Sequence, residues 1–189
     1  MTDQLRNFSI TVWIVVSVVY IASYSLVSGF IAPLQFMLLP ELSKNIGLLF
    51  LPHGVKVITF YFFGLWGYVY LMPAVALMWA IEVYGNEQNL LFSGAIASVI
   101  SCHLGVICAK WLNSSGASRD SVKLSWRDLI VAGAIGSIFN SLVQTWLYGS
   151  MVILISLVGY FIGDVAGQFI LMLIVIAFAR LARIVAKLS

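Results

Sequence analysis

The chain has 189 residues, 62% of them hydrophobic and 9% charged, with a mean hydropathy of +1.05 and a net charge of +3. Soluble domains carry about 25% charged residues, so this composition excludes a water-soluble globule, and so small a positive excess is no nucleic-acid signal. What remains is an all-α, polytopic membrane protein, one transmembrane helical bundle over residues 1–189.

About 20 apolar residues cross a bilayer, and about six such segments can be drawn along the chain. The first is residues 8–30. Arg6 precedes it and no small-residue cleavage site follows, so it is expected as a retained span. Residues 31–45 hold Pro33, Pro40, Glu41 and Lys44. Proline removes a donor and clashes with the preceding turn, so this stretch is expected as a connector, interfacial or partly re-entrant. The second span is 46–66, interrupted near its start by Pro52, His53 and Gly54. The third is 68–84, with Pro73 in its first turns; Gly64 and Gly67 are almost the only turn signal before it. The remaining spans are 90–112, 129–148 and 151–181.

Charge sets the orientation. Lys110, Arg119, Lys123 and Arg127 cluster in and beside the hydrophilic loop 113–128, and Arg180, Arg183 and Lys187 follow the last span. Both clusters are expected in the cytoplasm by the positive-inside rule. The turn at 85–89 has Glu87, with Glu82 nearby and no basic residue, and belongs outside, as does the tight turn at 148–150. Six spans with both termini cytoplasmic satisfy all of these, and a multi-pass membrane location follows.

The chemistry concentrates in a few intramembrane polar residues. Asp164 sits in the most apolar stretch of the chain. A carboxylate at that depth costs about 2.5–3.5 kcal/mol even on a lenient scale, so it should face protein or trapped water. Gly159, Gly163 and Gly167 recur every four residues on the same helix, a small-residue ridge for close backbone packing, and Gln168 lies one turn from Asp164. Lys56 is the first candidate for a charged partner, although its long stem also allows it to reach the interface. His103, alone in its span, is either a polar contact between helices or a functional group. Ser137, Asn140, Ser141, Gln144 and Thr145 form a polar stripe that must look into the bundle, as helix glue or as a cavity wall. His53 lies where proline and glycine break the backbone, and irregular backbone survives at depth only if buried or lining a cavity. The expected cavity lining is therefore His53, Lys56, His103, Asn140, Gln144, Asp164 and Gln168. Cys102 and Cys108 match no zinc or redox spacing and are expected as packing residues. No metal site is expected, because no second ligand shares the face of His103.

In order along the chain, these features resemble the MASE1 family, an integral membrane sensor module usually fused to bacterial signalling domains. The family opens an early helix with a Trp-Pro-Pro-Ala-Gly type segment, and Phe50, Leu51, Pro52, His53 and Gly54 occupy that place, with Leu51 for the tryptophan and His53 for the second proline. An apolar run closing on glycine follows (Phe63, Gly64, Gly67), then a proline-containing helix (Met72, Pro73). Trp126, Arg127, Asp128 and Leu129 match the entry of a later helix, and Gly163, Asp164 and Gly167 match a closing Gly-Asp-x-x-Gly helix. The resemblance implies a sensor-like fold and names no ligand.

No Walker loop, His-Glu-x-x-His, Gly-x-Ser-x-Gly, Cys-x-x-Cys or paired-histidine haem pattern occurs, so neither an enzyme nor a cofactor is expected. The leading expectation is a stand-alone bacterial inner-membrane module resembling a sensor input domain. It would bind a small ligand, or a partner's transmembrane helices, in an intramembrane polar cavity, among membrane lipids and beside another membrane protein that carries any signal onward. The alternatives are a non-catalytic accessory subunit of a larger membrane complex and a small-molecule transporter component.

Overall fold

A computed structural model describes residues 8–39, 47–85, 90–114, 126–148 and 153–188. Every regular element among them is helical: α1 (Ile10–Leu26), α2 (Ala32–Leu38), α3 (Leu51–Phe63), α4 (Trp66–Ala80), α5 (Phe92–Ser114), α6 (Trp126–Tyr148) and α7 (Ile153–Leu188). Five stretches are long and apolar enough to cross a membrane: Ile10–Leu38, Trp66–Gly85, Phe92–Asn113, Trp126–Tyr148 and Leu154–Ala186. Pro40, Glu41, Lys44, Glu87, Arg119, Lys123, Gly149 and Ser150 lie outside the described residues.

The first two expected segments need correcting. Residues 31–38 are not a connector. The helix that starts at Ile10, capped by Ser9, runs on to Leu38. A wide turn at Val27–Ile31 makes this possible, with the Ala32 N–H reaching back to the Val27 carbonyl. Pro33 cannot donate to Gly29 four residues earlier and would crowd its carbonyl; a π-type turn loosens the ladder at that point. The expected second span, 46–66, is not one helix either. Residues 47–50 are non-helical, and α3 is 13 residues long, bounded by Pro52 in its first turn and by Gly64 at φ 53°. Proline costs nothing at a helix start, where the N–H has no partner. At 1.5 Å per residue α3 reaches about 20 Å, short of the roughly 30 Å hydrocarbon core.

Contacts between chain ends orient the bundle. At one end the Ser9 N–H donates to Tyr70 Oη at 3.1 Å, Lys110 Nζ donates to the Tyr61 carbonyl at 3.2 Å, and Tyr61 Oη donates to Asp128 at 3.5 Å. The starts of α1, α4 and α6 and the ends of α3 and α5 therefore share this end. At the other end Tyr148 Oη accepts from the Leu91 N–H at 3.3 Å.

The tightest helix pair is α5 with α6. A Cβ added to Gly105 would overlap the Ala132 carbonyl and the Gly136 backbone, so these helices touch main chain to main chain. The buried face of α6 is its polar one: Gly133, Gly136, Ser137, Asn140, Ser141, Gln144 and Thr145 point inward, while Ile130, Ile138, Leu142 and Trp146 point outward. This is the reverse of a soluble amphipathic helix and suits a lipid surround.

Candidate functional site

The site grows from the meeting of α7 with the non-helical run 47–50. The glycine ridge packs against this extended chain, not against another helix. The Phe50 N–H donates to the Gly163 carbonyl at 2.9 Å. A Cβ on Gly163 would overlap the Gly47 carbonyl, and one on Gly167 would overlap the Phe50 carbonyl. The Leu48 N–H is satisfied by Gln35 Oε1 at 2.8 Å. Buried backbone groups need such partners, and here α7 and α2 supply them. Gly159 is buried on the same helix.

Asp164 lies eleven residues into α7, about 16 Å along its axis, and is 3% exposed. Its Oδ2 accepts from Asn140 Nδ2 at 2.6 Å and lies 3.2 Å from His53 Nδ1. His53 is fully buried in the first turn of α3. Its Nε2 is 3.3 Å from the Gly133 carbonyl and 3.2 Å from Ser137 Oγ, and that hydroxyl donates its own proton to the same carbonyl at 2.8 Å. Both ring nitrogens thus face acceptors, an arrangement an imidazolium satisfies. Cys102 Sγ stands 3.6 Å from Nδ1. On the other side of Asn140, Gln144 Nε2 donates to Asn140 Oδ1 at 3.2 Å and to the Gly94 carbonyl at 2.9 Å. One hydrogen-bonded chain therefore runs from α5 through α6 and α7 to α3. Interhelical hydrogen bonds in membranes average about 0.6 kcal/mol, with a maximum near 1.7. Gln144→Leu should accordingly lower unfolding free energy in detergent by about 1 kcal/mol, and a loss several times larger would mean that the chain acts as a single unit.

Beside this chain lies a cavity of about 170 Å³. Asp164, Asn140, Gln144, Lys56 and Ser98 supply its polar wall; Tyr20, Tyr24, Phe50, Val75, Trp79 and Tyr160 are among its largely apolar remainder. Leu90, Leu91 and Tyr148 line it towards one end of the bundle. Lys56 is 2% exposed and donates to Ser98 Oγ, with Nζ 5.3 Å from the centre of the Phe50 ring.

Of the residues expected to line a cavity, Lys56, Asn140, Gln144 and Asp164 do. His53 sits behind Asp164, away from the cavity surface. Gln168 is not at the cavity: its Nε2 donates to the Leu129 carbonyl at 2.6 Å, wedged against Gly133. His103 is elsewhere, half-buried, stacked on Phe60 at 4.8 Å and bonded to Tyr68 Oη at 2.9 Å. Its aromatic neighbours face α3 and α4 and not α7, which sequence spacing could not convey. Asp164 is paired with His53 rather than with Lys56. The sequence reading also missed Ser98, Tyr20, Tyr24 and Tyr160. Tyr20 and Tyr24 are four apart and share a helix face, the one signal that pointed to them.

Comparison of the chain with protein-family models, curated proteins and solved structures finds no match.

Proposed function

We propose that this chain is a non-catalytic ligand-binding module of the bacterial inner membrane, of the sensor-input kind that the MASE1 resemblance implies, passing its state to another membrane protein. The observation that carries this reading is the cavity, with Lys56 and Asp164 both on its wall and not bonded to each other. Small-molecule sites are concave, mostly apolar and marked by a few convergent polar groups, and this one combines those properties. In the same reading the chain crosses the membrane six times, five times as long helices and once as the run 47–50 joined to α3. Both termini are then cytoplasmic, on the side of Lys110, Arg127, Arg180 and Arg183.

One observation favours a transporter as the second reading. Non-helical backbone at half depth beside an ionisable group is how many secondary transporters build their substrate sites. An accessory subunit that docks through the glycine ridge has less support, because the chain's own residues 47–51 cover it at Gly163 and Gly167.

Gentle extraction followed by native mass spectrometry tests the proposal. The expected result is a small-molecule adduct on the wild-type chain that is lost in Ala95→Phe, where the ring fills the cavity. A stoichiometric protein partner with no small molecule on either variant would instead establish an accessory subunit. Asp164→Asn separates the other two: a transporter loses uptake, whereas a sensor keeps its assembly and loses its response.

A further inference from the structure

Among the described residues, the two charged side chains on the cavity wall, Asp164 and Lys56, are answered differently, and the difference points to the class of ligand. This inference rests on the ligand-binding reading above. His53 answers Asp164 from within the protein: among the described residues, both polar contacts of the carboxylate fall on Oδ2, one of them to the imidazole. Among the described residues no carboxylate lies within ion-pair distance of Lys56. Among the described residues its polar contact is a neutral hydroxyl, Ser98 Oγ, backed by the face of the Phe50 ring. An ammonium group 2% exposed, with no carboxylate against it among the described residues, is expensive to bury. Lys56 also sits in the second turn of α3, near the positive end of that helix. Side chains tilt towards the helix N-terminus, so Lys56 leans back towards the start of α3, where Gly47 and Phe50 line the same cavity. That helix end adds roughly half a positive charge.

Size and surface narrow the class further. An engineered apolar cavity of about 150 Å³ holds one benzene molecule, so the 170 Å³ here takes a compact body of similar bulk. Most of the wall is aromatic or aliphatic, including Tyr20, Tyr24, Val75 and Trp79. A multiply charged anion would leave charges unmatched against these walls, and a cation would meet the Lys56 ammonium while the Asp164 carboxylate is already paired with His53. We propose that the cavity takes a small organic monocarboxylate, its anionic end on Lys56 Nζ and its apolar body among Trp79, Tyr20 and Tyr24.

Three probes of one shape and different charge test this: benzoate, benzyl alcohol and benzylamine, titrated calorimetrically into the full-length chain in detergent. The expected result is saturable benzoate binding at least tenfold tighter than that of the alcohol, with no binding of the amine. Lys56→Met should reduce benzoate affinity at least tenfold, and Lys56→Arg should keep most of it. The Met variant loses an unanswered buried charge and should unfold no more easily than wild type, so a folding defect would itself count against the proposal. Binding of benzylamine or benzyl alcohol as tight as benzoate, or a Met variant with unchanged benzoate affinity, overturns it. If none of the three binds while the native chain still carries a small-molecule adduct sensitive to Ala95→Phe, the carboxylate assignment falls and the ligand-binding reading stands. If there is no adduct either, both fall.

Discussion

Asp164→Ala should lower the unfolding free energy of the detergent-solubilised protein by about 3–5 kcal/mol, the range for breaking one side of a buried charge pair. The loss comes less from the missing contact than from what it leaves behind. His53, fully buried, would keep only the weak acceptor Cys102 Sγ at Nδ1, and Asn140 Nδ2 would lose its 2.6 Å partner. Removing both charged partners together is a different matter. His53→Leu combined with Asp164→Leu replaces the pair by apolar groups, and such replacements are often neutral or stabilising. A double variant closer to wild type than Asp164→Ala would place the cost in the orphaned imidazole. If the single Ala variant stays within about 1 kcal/mol of wild type, well below the range for a broken buried pair, the carboxylate is not enclosed, and the hydrogen-bonded chain through Asn140 and Gln144 has no anchor.

Gly167→Val should release residues 47–50 from α7. Even one added carbon at this position overlaps the Phe50 carbonyl and the Leu51 nitrogen, and backbone cannot yield as a side-chain tip can. Overpacking a core costs about 1–3 kcal/mol where side chains can shift, and the cost here should reach or exceed the top of that range. The measurement is maleimide labelling of a cysteine introduced at Leu48 in a Cys108→Ser background, Cys102 being fully buried. Labelling should be slow while Gly167 is kept and fast in Gly167→Val. Gly163→Ala should act in the same direction, because its Cβ would overlap the Gly47 carbonyl. Gly29 is the control: nothing lies within 4 Å of a Cβ added there, and Gly29→Ala should leave both stability and labelling unchanged. Equal labelling in Gly167→Val and wild type would mean that the extended run is not held by the ridge.

The sequence made the coarse architecture legible and left the joints obscure. Long apolar runs need no partner to be recognised, so four of the expected spans coincide closely with helices of membrane-crossing length. The inward stripe on α6 was legible for the same reason, because polar residues three and four apart share one face whatever the rest of the fold does. The stretch 46–66 was different. Its residues are apolar throughout the run 47–51, and periodicity cannot tell an extended buried chain from a helix when every position is apolar. The tertiary fact that decides it, the bare backbone of Gly163 and Gly167, lies more than a hundred residues away. Pro33 misled in the opposite sense: the wide turn at Val27–Ile31 absorbs the proline locally, and no residue pattern announces such a turn. The pairing of His53 with Asp164 was likewise invisible, because Pro52 and Gly54 marked a break in the helix without indicating which helix the break would meet.

The short α3 carries an order of events with it. During synthesis α1 and α2 can enter the bilayer unaided, because their length and apolarity suffice. The segment from Gly47 to Phe63 cannot do so on the same terms: although the Leu48 N–H is met by Gln35 of α2, its buried imidazole, its ammonium group and the Phe50 N–H find their partners on α5, α6 and α7. The last of these helices leaves the ribosome roughly a hundred residues after α3 does. This segment is thus written early in the chain and finished late, and until then residues 47–63 must wait at the membrane surface or be sheltered by the insertion machinery.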